Sequence, residues 1–323
     1  FVGANAPATV TAVPPHASAA SSAALPQAPG GKEVGIWVWD SPLQMAPGYA
    51  ARMFSVASQN GFNTIYITVD DYLDIAALPN GASKDAKTKA YFAALASIVS
   101  AANQKSIAIL IEGGAKDWAY PENRWKGYAL IDMLAAYNKA YPSAQVHGLQ
   151  YDVEPYLLPE YEDNKAAVLE QFLEFIDGSV AHMQGIEGEF EVVIPHFYDS
   201  AVAWTPSFTY DGTDAYAYTH LLQVLEHRPG STVVVMAYRN FFAGDNGTEQ
   251  ISQAEVKEAS SGYSTNVIVA QETGNVDPSY VTFYGMTKAD LLANIQDIYT
   301  AFDPYKNFGG VAVHYLEPFL DLE

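Results

Sequence analysis

Short apolar runs alternate along this chain with longer stretches in which apolar side chains recur every three or four positions. A strand covered on both faces reads as a near-continuous apolar run, and a helix packed on one side reads as a stripe of period 3.6. On that basis eight strands are predicted: Gly35–Asp40, Asn63–Asp70, Ser106–Gly113, His147–Pro155, Phe190–Phe197, Thr232–Arg239, Asn266–Thr273 and Gly309–Glu317. Helices are predicted between them over 47–60, 84–104, 126–141, 162–184, 213–227, 251–261 and 288–302, the last capped by Thr287. Eight strands, each followed by a helix until the last, predict an α/β fold, a single-domain (β/α)8 or TIM barrel. A doubly wound open sheet is the alternative, but no Gly-x-Gly-x-x-Gly opens a helix, which weighs against a nucleotide-binding version of it. Because only residues 318–323 follow Glu317, the eighth helix is expected to be short or missing.

Residues 1–31 are rich in Ala, Pro, Ser and Gly and show neither periodicity, so they read as a linker or leader, with 32–323 as the (β/α)8 barrel. The rival is that part of this segment packs along the barrel and covers the missing helix. A secreted or periplasmic location is expected, with an export leader already removed. No apolar run approaches the ~18 residues that span a bilayer, so membrane insertion is not expected.

Net charge changes the list of partners. Asp and Glu outnumber Lys and Arg by 37 to 16, a net charge of −21. Nothing there neutralises phosphates, which argues against nucleic acid and anionic membrane surfaces and leaves a neutral or cationic substrate. With no cysteine, disulfides, thiol catalysis and Cys-ligated zinc are excluded. The 22 Tyr, 15 Phe and 5 Trp suit a sugar-binding surface as well as a large core. The sequence leaves the oligomeric state open.

The fourth predicted strand carries the candidate chemistry. In His147-Gly-Leu-Gln-Tyr-Asp-Val-Glu-Pro155, the side chains of Gln150, Asp152 and Glu154 share one face. Two carboxylates so placed are costly unless paired, hydrogen-bonded or used. Repulsion between them favours keeping one proton, which is what a general acid needs. In a (β/α)8 barrel the chemistry lies at the C-terminal ends of the strands. The predicted ends bring there Trp39, Asp40, Asp70, Asp71, Glu112, Asp152, Glu154, His196, Tyr198, Tyr238, Arg239, Gln271, Glu272, His314 and Glu317.

Gly148-Leu-Gln-Tyr-Asp-Val-Glu154 resembles the fourth-strand signature of the family 18 glycoside hydrolases, Asp-Gly-x-Asp-x-Asp-x-Glu. Ile109-Leu-Ile-Glu-Gly-Gly114, Met236-Ala-Tyr-Arg239 and Gly309-Gly-Val-Ala-Val-His314 are similar to that family's third-, sixth- and last-strand motifs, in the same order. The chain departs from the family at His147 and Gln150, where the first two aspartates fall, at Arg239, where Asp is usual, and at His314, where Trp is usual. The resemblance implies substrate-assisted hydrolysis of a glycosidic bond in an oligo- or polysaccharide. Glu154 would be the proton donor, Asp152 would hold the substrate's 2-acetamido group, and Tyr238 would bond that group.

Other readings stay open. Glu154 and Glu272 could serve as acid/base and nucleophile of a two-carboxylate retaining glycosidase. The replaced signature residues would also fit a non-catalytic carbohydrate-binding barrel. Structurally, Asp152 and Glu154 could instead bind a basic residue such as Arg239. His196 and His314 with the nearby acids could hold a divalent ion, but His-x-His on the first strand and His-Glu-x-x-His are both absent, and neither a metal nor another cofactor is expected. Substrate contacts are expected from Trp39, Asp40, Glu112, Gln150, His196, Tyr198, Arg239, Gln271 and His314, with Trp37, Trp118, Trp125 and Trp204 as further stacking or packing candidates.

Overall fold

The computed structural model describes residues 31–45, 48–200 and 205–322. Eight parallel strands close into a barrel in chain order: Glu33–Val38, Thr64–Thr68, Ala108–Gly113, Gly148–Tyr151, Glu189–Pro195, Thr232–Met236, Asn266–Glu272 and Phe308–His314. Closure comes from the first and eighth strands, paired from Glu33 with Gly310 to Ile36 with Val313. The predicted (β/α)8 barrel is therefore the observed fold. Apart from Gly31, the proposed linker lies outside the described residues.

The alternation of side chains divides the core in two. Trp37, Tyr66, Leu110, Val193, Val234, Ile268, Ala270 and Ala312 fill the barrel interior. Residues of the opposite parity, such as Ile36, Ile65, Ile109, Leu149 and Val267, pack outward under the helices. Gly35 has a packing reason: a Cβ there would lie 2.3 Å from the Tyr66 hydroxyl.

The main helices run over Tyr49–Asn60, Ala82–Asn103, Trp125–Ala140, Tyr161–His182, Ala217–Leu225, Thr248–Gly262 and Lys288–Phe302. Thr287 caps the last of these in a reciprocal box with Asp290. The eighth helix is present but short, Leu316–Asp321. Its Leu316 and Phe319 are buried, and Phe319 meets Phe62 edge-on at 5.1 Å, so six residues cover the seam between the eighth and first strands. Among the described residues no helix is long and apolar enough to cross a membrane.

Two local departures matter. Phe208–Tyr210 and Thr213–Ala215 form an antiparallel hairpin where a helix was predicted from 213. Its turn is Asp211-Gly212, both at positive φ (45° and 76°), a sequence that favours such hairpins. The fourth strand stops at Tyr151, so Asp152 and Glu154 stand just past its end, in a loop that turns at Pro155 into a short 3-10 helix.

Candidate active site

Asp152 is carried by a tight contact between two loops. Its N–H donates to Gly113 O at 3.2 Å. A Cβ on Gly114 would lie 2.1 Å from Asp152 O, and one on Gly113 would lie 2.7 Å from Asp70 Oδ1. The glycine pair thus lets the end of the third strand lie directly against the acids of its neighbours. Glu112, Asp70, Asp152 and Glu154 line this side of the mouth.

Burial dominates their electrostatics. Glu112 is 2% exposed, and burial, then Asp152 and Asp70, push its carboxyl well above the usual range. Asp152 is pushed well up by burial, by Glu154 and by Asp70. Glu154 is also raised by burial, opposed by the bond that the Tyr156 hydroxyl donates to its Oε1 and by His314. Glu112 Oε2 and Asp152 Oδ1 are buried oxygens without a hydrogen-bond partner among the described residues. None of these three carboxylates forms an ion pair with a described Lys or Arg. The counter-ion reading of Asp152 and Glu154 therefore fails; Arg239 is engaged elsewhere.

Across the mouth, Glu272 is 3% exposed and fixed at both oxygens. Gly274 N–H donates to Oε1 at 2.5 Å, and His314 Nδ1 lies 2.8 Å from Oε2. His314 Nε2 is 3.2 Å from Trp39 Nε1. An indole nitrogen only donates, so Nε2 is the acceptor, and a neutral His314 carries its proton on Nδ1, toward Glu272. Tyr238 stacks on His314 at 6.2 Å between ring centroids. Its hydroxyl is pushed well up by burial, then by Glu272, Asp152 and Glu154.

Several residues predicted to touch substrate are committed to the fold instead. Gln150 is fully buried inside the barrel, accepting from Trp37 Nε1 at 2.6 Å and donating to Glu191 at 2.7 Å. Gln271 points outward, its oxygen accepting from Asn294 at 2.8 Å and its nitrogen donating to Ala237 O and Ala270 O. Arg239 is buried and clamps the following loop through Asn246, Tyr238 O and His196 Nε2. His196 is pushed down to about 3 by burial and by Arg239, so it is neutral. Both histidines of the metal reading thus have a nitrogen already engaged by protein donors. Tyr198 is buried with its ring against Phe172, Tyr156 and Phe197, and its hydroxyl is raised by burial, Tyr161 and Glu154. Asp40 lies near Tyr49, which donates to Glu317.

Exposed large hydrophobic side chains add to the residues at the strand ends. Trp39, Leu43, Trp125, Leu157, Tyr280 and Tyr284 all follow the C-terminal ends of strands, on the acids' side of the barrel. Leu43, Leu157, Tyr280 and Tyr284 were not predicted; position just after a strand was their only signal. Trp37 and Trp118 are core residues, and Trp204 lies outside the described residues.

A closed parallel (β/α)8 barrel is a fold that carries many unrelated functions. The fold is similar to a GH18 chitinase from Pseudoalteromonas aurantia (TM-score 0.54, 12% identity, 88% of this chain and 94% of that one). It is also similar to an endo-1,4-beta-D-mannanase from Thermotoga petrophila (0.54, 11%, 88% and 88%). An exo-beta-1,4-mannosidase from an Opitutaceae bacterium aligns over 94% of this chain but 57% of its own (0.52, 14%). At these identities the likeness establishes the fold. No family model and no curated protein matches the sequence.

Proposed function

We propose that this chain is a glycoside hydrolase acting on an oligo- or polysaccharide, with Glu154 as proton donor. The observation that carries this reading is a pair of adjacent carboxyls, Asp152 and Glu154, raised by burial and facing the barrel mouth without a basic partner. Such a pair keeps a proton to higher pH than an isolated carboxyl. Glu154 would give its proton to the glycosidic oxygen as the bond to the anomeric carbon breaks. Asp152 and Tyr238 would hold the substrate's 2-acetamido group while its oxygen attacks that carbon; water, deprotonated by Glu154, would then open the ring so formed. Exposed aromatics around the mouth would stack on sugar faces.

One observation favours a second route. His314 and Gly274 hold Glu272 in a fixed orientation across from the strand-four acids, as a nucleophile would require. Against it, both Glu272 oxygens are already bonded and the side chain is 3% exposed. We therefore place the acetamide route first.

The test is release of reducing ends from a panel of chitin-type and mannan-type oligosaccharides. Glu154→Gln is expected to lose about 10²–10⁴-fold in rate with folding intact. Activity on sugars lacking the acetamide, with a glycosyl group trapped on Glu272, would move the mechanism to the second route. Binding without turnover across the panel would make the barrel a binding protein.

A further inference from the structure

At the end of the barrel opposite the mouth, three more carboxylates converge: Glu33 at the start of the first strand, and Glu189 and Glu191 on the fifth. Each offers an oxygen, and these oxygens lie within 4.8 Å of one another. Glu191 is fully buried. Its Oε2 accepts from Gln150, while its Oε1 is buried with no hydrogen-bond partner among the described residues. The Tyr66 hydroxyl donates to Glu33. No described lysine or arginine pairs with any of the three; Lys32, the neighbour in sequence, reaches Phe308 O at 2.7 Å and Asp303 at 3.6 Å instead. Burial is the main reason that Glu33 is pushed up to about 7, and burial and Glu33 push Glu191 well above the usual range. Glu189 is exposed, and a cavity lined by Glu33, Asn63, Thr64, Ser106, His147 and Glu189 reaches the group from solvent.

A buried carboxylate oxygen with no partner is costly, and two further acids beside it raise that cost unless positive charge sits among them. We propose that Glu33, Glu189 and Glu191 bind one hard divalent cation, Ca²⁺ being the best fit. An all-oxygen donor set selects hard cations over zinc or copper. Ca²⁺ holds its ligands at about 2.3–2.6 Å, so one ion spans oxygens up to about 5 Å apart, and water completes its shell. The ion would tie the first strand to the fifth across the barrel floor, far from the chemistry at the mouth. Its role is to stabilise the fold, and it is independent of the proposed reaction.

The experiment is thermal unfolding and calorimetric titration of the chelator-stripped full chain. CaCl2 is added up to about 10 mM, above the ~10⁻⁴–10⁻³ M range of weak extracellular sites, with ionic strength matched by NaCl. The expected result is a saturable rise in Tm, one ion bound per chain, and loss of both in Glu189→Gln and Glu191→Gln. Glu189 is exposed, so its variant carries the test even if the Glu191 variant folds poorly. Glu154→Gln should show the parent's rise. No Ca²⁺-dependent rise in the parent, as for a site filled by a proton shared between Glu33 and Glu191, would overturn the proposal. So would an undiminished rise in Glu189→Gln.

Discussion

His314 Nδ1 stands 2.8 Å from Glu272 Oε2, while its Nε2 accepts from Trp39 across the seam where the barrel closes. Three residues far apart in sequence thus fix one carboxylate and the tautomer that holds it. His314→Ala removes the partner of Oε2 and leaves Glu272 held only by the Gly274 N–H at Oε1. On the Glu272 route the rate should fall about tenfold to a hundredfold, chiefly in kcat, since misplacing a group by 1 Å can cost about 10²-fold; on the acetamide route, which does not use Glu272, it should change little. Trp39→Phe, which keeps the ring and loses the N–H, should fall less. Equal kcat for His314→Ala and parent would show that this chain of bonds plays no part in turnover.

Stability should decline with rising pH. A carboxyl raised in the folded state binds its proton more tightly there than in the unfolded chain. The stability so gained is present near the unfolded pKa, about 4, and is lost as pH rises through the folded value. Glu33, pushed up to about 7, Asp70, pushed up to about 6, and the more strongly raised Glu112 and Asp152 all act in this direction. In metal-free buffer Tm should be higher near pH 5 than near pH 8. Glu112→Gln removes a buried charge and should flatten that decline, raising Tm near pH 8 by roughly 2–4 °C per kcal/mol recovered. A Tm that climbs from pH 5 to pH 8 would contradict this assignment.

Gly114→Ala places a methyl group 2.1 Å from Asp152 O, where backbone rather than a movable side chain must give way. Overpacking of this kind costs about 1–3 kcal/mol, and the displaced atom belongs to a proposed catalytic residue. Denaturant unfolding should show that loss, with activity falling further than the folded fraction does. A variant as stable and active as the parent would mean that the third-strand loop relaxes freely.

The exposed aromatics should act on binding more than on chemistry. Trp125 is 43% exposed and Tyr284 53%. Alanine at either should raise KM for longer oligosaccharides while leaving kcat within about twofold, as expected when an interaction is equal in ground and transition states. A fall in kcat with KM unchanged would instead place the ring beside the reacting bond.

Much of the fold was legible because each strand is a short apolar run and each helix an apolar stripe, and these two periods differ. Thr287 and its helix over 288–302 were read correctly because capping is local chemistry. The hairpin at 208–215 was also encoded, in Asp211-Gly212, but its strands of three residues each carry no periodicity. Glu154 and Asp152 were legible as acids at a strand end, since strand order alone sends all such ends to one mouth.

What the sequence determined by itself is therefore the barrel and the acids that follow its strands. The tertiary structure alone decided which way each one points. A strand buried on both faces is apolar at both parities, so nothing in Ala270-Gln271-Glu272 marks Glu272 as inward toward His314 and Gln271 as outward toward Asn294. For the same reason Gln150 read as a rim residue but lies inside the barrel, between Trp37 and Glu191. The acids of the barrel floor were invisible for a related reason: Glu33 and Glu191 meet only when the first and fifth strands face each other across the closed sheet.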